Sequence, residues 1–324
     1  MKRTATSPHQ VAYSEIVREG WWSQYRLPLL FLAPALLVIF IFFAIPVVVT
    51  LLIGLTDMSV STGLKGYHYI GWDNFEKIFK SPWTTVILKN TLIYVFGTLV
   101  FFNVGLALVI SVACSFMSRK VAGIFRALWL LPRITPSVVY VLMVKWATAD
   151  PPFGIINQIL TPLGLEPRNW MYFQPMVFVI VINGMIGASM GMILFGSAIQ
   201  AIPRNHFLAA EVDGSSNWLT IRRIILPQLK WPVLFVTAYQ TLSLITSFEY
   251  IMLTTNGGPG FYSTETWSLY AYHIALSNYY GNSQFGLGSA LASILMLLGI
   301  IASIIYLKVF KFRSMVAPPK IEIN

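Results

Sequence analysis

The sequence is poor in cysteine and in charged residues, and both shortages narrow what the protein can be. It has one cysteine in 324 residues, which excludes a disulfide framework and a cysteine-rich zinc site. The lone Cys114 stands in an apolar run, as a small buried residue would. Only 10% of the residues are charged, whereas soluble proteins carry about 25%. A pair of ordinary soluble domains, which the length alone would allow, is therefore disfavoured.

Motifs of nucleotide, hydrolase and metal chemistry are missing as well. There is no Gly-x-x-x-x-Gly-Lys-Ser/Thr phosphate loop, so the chain is not expected to be an ATPase. There is no Gly-x-Ser-x-Gly elbow, and the histidines lack a metal-ligand spacing such as His-x-x-x-His. The histidines are His9, His68, His206 and His273. We predict no catalytic residue, no metal ligand and no cofactor site in this chain.

Long apolar runs are what the sequence does contain. Hydrophobic residues make up 56% of the chain, and its mean hydropathy is +0.69. Runs that carry little charge and could cross about 30 Å of hydrocarbon predict an all-α integral membrane protein with about six transmembrane helices. In the third run, prolines and basic residues interrupt the apolar pattern. The predicted spans lie near Leu27–Leu52, Asn90–Phe116, Leu128–Thr148, Met176–Gln200, Val233–Thr255 and Phe285–Leu307.

The net charge of +10 is distributed as in a membrane protein, so nucleic acid is not predicted as a partner. Of the 22 Lys and Arg residues, fifteen fall on the side of the N-terminus, six fall on the other side, and Arg133 is unassigned. Because basic residues collect on the cytoplasmic side, both termini are predicted to be cytoplasmic. The predicted parts are a cytoplasmic tail with an interfacial helix (1–26), a transmembrane domain (27–308) and a second cytoplasmic tail (309–324).

The segment 201–232 joins the fourth and fifth predicted spans and is expected to be cytoplasmic. Pro203 suits the first turn of a helix, and Gly214 suits a left-handed helix end. One of the two serines that follow can cap a second helix, which Pro227 would limit. The pattern predicts a helix-turn-helix at the membrane surface. The first helix has a narrow face that could enter a groove, and this face consists of Phe207, Ala210 and Gly214.

This segment resembles the signature of binding-protein-dependent ABC permeases of the carbohydrate-uptake type. The signature is Glu-Ala-Ala, three residues, Gly, nine residues and Ile-x-Leu-Pro. The residues that match it at the same spacing are Ala209, Ala210, Gly214, Ile224, Leu226 and Pro227. Leu208 stands where the family usually has glutamate, which puts an ion pair at that position in doubt. The resemblance implies contact with a separate ATPase through Phe207, Leu208, Ala209, Ala210, Glu211, Asp213 and Gly214.

The resemblance extends over nearly the whole chain. The run 255–259, Thr-Asn-Gly-Gly-Pro, resembles an external loop of sugar permeases, and it is either a plain turn or a contact with a binding protein. The length and the mixed sugar-permease features are similar to the larger permease subunit of alginate-oligosaccharide importers. Acidic and neutral oligosaccharides are therefore both candidate substrates.

The family also implies the partners and the location. The expected partners are a second homologous permease, two ATPase subunits that bind ATP and Mg, and an extracytoplasmic solute-binding protein that delivers a sugar or oligosaccharide. Membrane lipid is a further partner, because the chain is expected to be a multi-pass protein of the bacterial inner membrane. The main rival interpretation is a secondary transporter or channel without an ATPase; such folds often show inverted repeats, which we do not find. A membrane enzyme ranks third.

Polar residues in the fifth predicted span point to a substrate pathway. At about 100° per residue they form one polar stripe; they are Gln240, Ser243, Ser247, Tyr250 and Thr254. The stripe either lines a hydrophilic pathway or bonds to neighbouring helices. Glu249 is predicted on the opposite face, in a wet vestibule or at a partner contact. Arg133 either reaches the cytoplasmic surface or faces the pathway, and Asn183 is the candidate from the fourth span.

Overall fold

The computed structural model describes residues 21–150, 152–260, 262–277 and 281–310. These residues are almost entirely helical, and the only β pairing among them is an isolated bridge between Thr56 and Tyr69. The prediction of an all-α membrane fold is confirmed. Most of the predicted interfacial helix in the N-terminal tail, and the C-terminal tail from residue 311, lie outside the described residues.

The chain divides into two compact units, Met1–Leu52 and Ile53–Asn324. In the first unit, helix α1 (Trp21–Ile39) continues through a π-helical stretch, Phe40–Ala44, into α2 (Ile45–Gly54). From Tyr25 onward, most apolar side chains of this helical run are exposed, as expected of a helix that faces lipid. The helical run is long and apolar enough to cross a membrane, which agrees with the first predicted span.

The second unit contains the remaining helices in chain order. They are α3 (Asp73–Lys80), α4 (Trp83–Gly97), α5 (Ala107–Ser115), α6 (Arg119–Ile134), α7 (Ser137–Ala147), α8 (Ile155–Leu160), α9 (Trp170–Phe173), α10 (Pro175–Gln200), α11 (Arg204–Val212), α12 (Asn217–Thr220), α13 (Leu226–Gln228), α14 (Lys230–Thr246), α15 (Glu249–Thr254), α16 (Trp267–Ala275) and α17 (Phe285–Val309). A π-helical stretch, Thr98–Leu106, joins α4 to α5, and another, Ile221–Ile225, joins α12 to α13.

The number of continuous spans is smaller than the six predicted. By length and composition, four helices of the described chain can cross a membrane, and a bent pair raises the count to five. The four are Tyr25–Gly54, Trp83–Ser115, Pro175–Gln200 and Phe285–Val309. The differences lie in the third and fifth predicted spans, both of which are broken helices.

The third predicted span is the bent pair, α6 and α7, whose axes differ by 100°. Thr135 at the break is extended, with φ −70° and ψ 134°. A residue before proline is pushed out of the helical region, and Pro136 itself has no N–H to continue the ladder. The bent pair also begins earlier than the predicted span, at Arg119.

The fifth predicted span breaks at Ser247, between α14 and α15. Ser247 has φ −73° and ψ 127°, so it leaves the helical region. Its carbonyl accepts a hydrogen bond from Ser268 Oγ at 2.7 Å, and its hydroxyl accepts one from Tyr94 OH at 3.2 Å. These bonds replace the helical bonds that are lost at the break, and neither is visible in the sequence of the span.

The core of the second unit lies around α10, which packs closely on the helical run from α4 to α5. A Cβ at Gly187 would overlap the Asn103 amide, and one at Gly191 would overlap the backbone of Asn103 and the side chain of Ala107. The glycines thus let two spans approach within backbone contact. Tyr94 and Phe195 are fully buried in the clusters that this contact produces.

Candidate translocation site and coupling loop

A polar cavity of about 300 Å³ lies where α10, α14 and α15 meet the bend between α6 and α7. Its polar lining comes from five different segments, and the break at Ser247 opens one of its walls. The residues that line it are Asn103, Arg133, Asn183, Ile186, Gly187, Met190, Tyr239, Gln240, Ser243, Leu244, Ser247 and Tyr250. The structure thus brings together Asn183, Arg133 and four of the five residues of the predicted stripe.

Several polar groups in the cavity wall also bond to neighbouring helices. Gln240 Nε2 donates to the carbonyl of Gly187 at 3.1 Å, and Asn183 Nδ2 donates to Tyr94 OH. Asn103 Oδ1 is buried and has no hydrogen-bond partner in the described chain. Gln240 and Asn183 therefore take part in helix packing, and the pathway role of the stripe stays a prediction. An unpaired buried amide oxygen such as that of Asn103 is costly.

Thr254, the fifth residue of the stripe, lies apart from this cavity. The prediction assumed one continuous helix, and the break at Ser247 invalidates the angular count for the residues beyond it. The Thr254 side chain is buried, and its hydroxyl donates to the Tyr250 carbonyl at 2.5 Å. Thr254 lines a different cavity of about 330 Å³, beside Lys145 and the loop at Pro259.

Arg133 and Glu249 have separate environments. Arg133 lines the polar cavity, and its Nη1 donates to Ser189 Oγ at 3.4 Å. Its role in a pathway stays a prediction. Glu249 lies outside the cavity, is exposed, and accepts a hydrogen bond from the Ser137 hydroxyl at the start of α7.

Two residues important to the cavity were missed in the sequence. Asn103 is an amide within an apolar run, which is the signal that could have revealed it. Tyr94 has no such signal, because tyrosines are common in membrane helices. Its role depends on contacts with Asn183 and Ser247, which are distant in sequence.

The loop at 255–265, which the sequence predicts to be external, is held by internal hydrogen bonds. Asn256 and Gly257 have positive φ values of 51° and 83°, and Thr264 Oγ1 donates to the Gly258 carbonyl at 2.7 Å. Behind the loop, His273 and Glu265 form a buried pair. The loop is therefore a well-defined turn, whether or not it also contacts a binding protein. No group of side chains suited to a metal ion occurs in the described part of the chain.

The segment 201–232 has the predicted helix-turn-helix form. Helix α11 ends before Gly214, whose φ is +66°, and Ser216 Oγ accepts from the Leu219 amide at 3.3 Å to cap α12. Pro227 does not limit the second helix, contrary to our expectation. It lies in the first turn of α13, where its missing N–H costs nothing, and the chain continues helically into α14.

The outward face of α11 differs from the predicted one. Phe207 packs against the core cluster that includes Phe195 and Ile225, and Ala210 is half-buried. Of the predicted face, Phe207 and Ala210 are therefore not directed outward, and only Gly214 is exposed. The other predicted residues that point outward are Leu208, Ala209, Glu211 and Asp213.

Two exposed apolar residues of the segment 201–232, the candidate coupling loop, were missed in the sequence. Val212 is 87% exposed and Trp218 is 67% exposed. Large apolar side chains exposed beside a polar rim are typical of interaction sites. The family signature does not specify the residues at these two positions, so the resemblance could not reveal them.

The family of the chain follows from a comparison with protein-family models. Residues 103–312 match the model of the binding-protein-dependent transport system inner membrane component. The chain belongs to this family. It is therefore a transport component, and the comparisons give no support to a secondary transporter or channel.

Curated relatives match along most of the chain. A probable ABC transporter permease of Pyrococcus horikoshii is 30% identical over 293 residues, which are 86% of this chain and 94% of the relative. The trehalose/maltose transport system permease MalF of Thermococcus litoralis is 30% identical over 301 residues, which are 90% of this chain and 96% of the relative. The matches thus extend over most of this chain and nearly all of each relative.

The fold also matches a solved structure. The crystal structure of a bacterial ABC transporter involved in the import of the acidic polysaccharide alginate contains a chain with a TM-score of 0.73 and 21% identity. The match covers 92% of this chain and 98% of that chain. The fold is thus shared over almost the whole length of both chains.

Proposed function

We propose that the chain is the translocation subunit of an ABC importer for an acidic oligosaccharide. It would form the pathway together with a second permease, receive its substrate from a solute-binding protein, and be driven by two ATPase subunits that bind ATP and Mg. The observation that carries this proposal is the polar cavity at the break of the fifth span, which has Arg133 in its wall.

The chemistry of the cavity suits a carbohydrate. Hydroxyl, amide and phenol groups converge on it, and these groups can donate to and accept from sugar hydroxyls. The ring of Tyr250 offers an apolar face to a pyranose. Sugar names also recur among the relatives, since the Thermococcus permease serves trehalose and maltose.

The charge of the cavity favours an acidic substrate over a neutral one. Arg133 is the one charged residue among those that line it, and Glu249 lies outside. A guanidinium recognises carboxylates in a bidentate manner, so a uronate unit is the better match. The structural likeness to a transporter of an acidic polysaccharide agrees with this preference.

The coupling loop is proposed to receive force from the ATPase. Its outward apolar residues Leu208, Val212 and Trp218 can dock by shape. On the inward side Phe207 packs on residues of α10 and of the stretch that leads into α14. Movement of α11 would thus reach the two helices that carry most of the cavity wall.

The proposed orientation has both termini in the cytoplasm of a bacterial inner membrane. Single cysteines at Lys77 and Arg222, in a Cys114→Ser background, test it. An impermeant maleimide added to intact spheroplasts should label position 77 and spare position 222, and the reverse pattern would refute the orientation.

The substrate proposal is tested in the reconstituted importer with an Arg133→Gln variant. ATPase stimulation by an acidic tetrasaccharide should fall about tenfold or more, because a hydrogen bond to a charged group contributes roughly 1.5–3 kcal/mol. Stimulation by a neutral tetrasaccharide of the same length should change little. Unchanged stimulation by the acidic sugar would exclude Arg133 as the determinant, and transport without any ATPase would exclude the importer itself.

A further inference from the structure

A second cavity, of about 740 Å³, lies next to the coupling loop, away from the polar cavity of the pathway. Its walls come from the end of α5, the start of α6, the end of α10 and the start of α11. The residues that line it are Cys114, Ser115, Phe116, Met117, Arg119, Ala122, Gly123, Arg126, Ile199, Gln200, Ile202, Arg204, Phe207 and Ile225. Its volume is within the range of about 300–1,000 Å³ that is usual for ligand sites.

Three arginines give this cavity an uncompensated positive charge. Arg119 and Arg126 are seven residues apart on α6, so they lie on one face two turns apart, and Arg204 begins α11. None of the lining residues is acidic, and none of the three arginines forms an ion pair within the described chain. Arg126 Nε is buried and lacks an acceptor there. The acceptor for such a donor comes from outside the described chain, as water, as an ion or as another molecule.

The rest of the wall is mostly apolar, with Ser115 and Gln200 as its polar residues, and this composition bears on the identity of that molecule. Phe116, Met117 and Ile202 line the cavity beside the arginines. Its floor is formed where two candidate spans end, at Ser115 and Gln200, so the cavity lies at the level of the lipid headgroups. An anion that also has an apolar part fits this combination better than a small soluble anion does. Basic pockets between helices at the cytoplasmic surface bind anionic lipid headgroups.

We propose that this cavity binds an anionic phospholipid of the cytoplasmic leaflet. The headgroup phosphate would accept from Arg126, Arg119 and Arg204, and the start of an acyl chain would lie along Phe116 and Met117. Because Phe207 of the coupling loop lines the same cavity, a bound lipid would support α11 from the side opposite the ATPase. The site is independent of which sugar the importer carries.

The test uses the complete importer in nanodiscs of neutral phosphatidylcholine, with or without about one third phosphatidylglycerol. Arg126→Gln should lower the retention of phosphatidylglycerol in native mass spectrometry about fivefold, since one basic residue near the surface contributes about 1 kcal/mol. Arg223→Gln, which changes an exposed arginine outside the cavity, should leave retention unchanged.

A second variant fills the space without touching the charges. A Cβ at Gly123 meets nothing within 4 Å, and leucine is a better helix former than glycine, so Gly123→Leu should fold and exclude the lipid. Gly299→Leu, at another open glycine position of a long helix, is the matched control. ATPase stimulation should rise with phosphatidylglycerol in the wild type and in both controls, and should not rise in Gly123→Leu.

Three results would overturn the proposal. Equal retention of phosphatidylglycerol by Arg126→Gln and wild type would show that the arginines do not hold the lipid. Restoration of the ATPase stimulation in neutral nanodiscs by inorganic phosphate or glycerol phosphate would show that the cavity binds a soluble anion. Loss of the ATPase subunits from Arg126→Gln in either lipid would show that an acidic group of the ATPase occupies the cavity.

Discussion

The hydroxyl of Tyr94 lies 3.2 Å from Ser247 Oγ, at the point where the fifth span breaks. The same hydroxyl accepts a hydrogen bond from Asn183 Nδ2 of α10. Tyr94 is fully buried and does not line the polar cavity, whereas both of its partners do. Tyr94 thus holds two walls of the proposed pathway at a fixed separation, and it acts on the substrate through other residues.

Tyr94→Phe tests this positioning role. The ring stays in its packing site, and only the hydroxyl that joins Asn183 to Ser247 is lost. We expect the maximal rate of substrate-stimulated ATP hydrolysis to fall about tenfold, which corresponds to roughly 1.4 kcal/mol, with a smaller change in the half-saturating concentration of loaded binding protein, because the two walls of the cavity are no longer joined by this hydroxyl. A parallel loss of thermal stability and of basal ATPase activity would instead indicate a purely structural role.

Tyr239→Phe is a matched control for the loss of a hydroxyl. Tyr239 also borders the cavity, but it is exposed and does not join two helices through its hydroxyl in the described chain. Its stimulated rate should stay within about twofold of wild type, since single exposed substitutions usually change free energies by less than about 0.5 kcal/mol.

The contrast between Tyr94 and Gly214 shows which parts of the site the sequence could reveal. Gly214 ends a helix at a spacing set by local signals, a proline before it and a serine after it, so its left-handed conformation was predictable. The cap and the turn of this segment depend on neighbours within a few residues. Most spans were predictable for a similar reason, because length and apolarity alone identify them.

The breaks in the third and fifth spans were harder to predict. Pro136 gave a local signal for the first of them, and the interruption of that run was noted. Ser247 gave none, because the bonds that stabilise the break come from Tyr94 and Ser268, which are far away in sequence. A helical angular count that continues through Ser247 therefore predicts the wrong surface for Thr254. The inward packing of Phe207 was missed for a similar reason, because its contacts with residues distant in sequence cannot be read from the sequence.

Gly214→Val tests the coupling turn. Its φ of +66° is disfavoured for residues that carry a Cβ, and most strongly for a β-branched one. The left-handed conformation costs an L-residue about 1–2 kcal/mol, so the turn should open and α11 should lose its set position. Substrate-stimulated ATPase activity is expected to disappear, while membrane insertion and the amount of purified chain remain as in wild type.

Gly214→Asn provides the comparison, since asparagine tolerates the left-handed region well. It should retain most of the coupling, and nothing lies within 4 Å of the Cβ position to obstruct it. If Gly214→Val coupled as efficiently as Gly214→Asn, the conformation of this turn would not matter for force transfer. We would then withdraw the role of α11 in coupling.

The buried pair behind the external loop gives a prediction about stability. His273 Nδ1 lies 2.8 Å from Glu265 Oε1, and both side chains are almost completely inaccessible. Glu265→Ala removes the partner of a buried ring nitrogen, which costs about 1–3 kcal/mol. The thermal midpoint of the purified importer should fall by several degrees. Glu166→Ala, which breaks an exposed ion pair with Arg168 at 3.8 Å, should leave it nearly unchanged.

The same pair has a defined dependence on pH. Burial raises the pKa of Glu265 above its usual value, and the hydrogen bond from His273 opposes this only in part. The folded state favours the protonated carboxyl. The contribution of Glu265 to the free energy of unfolding is therefore present at low pH and is lost as the pH rises through the raised pKa of the folded state. Glu265→Gln keeps a hydrogen-bond acceptor without a charge, so its advantage over wild type in thermal midpoint should grow as the pH rises above about 4.5. A constant difference across that range would mean that Glu265 does not titrate with folding.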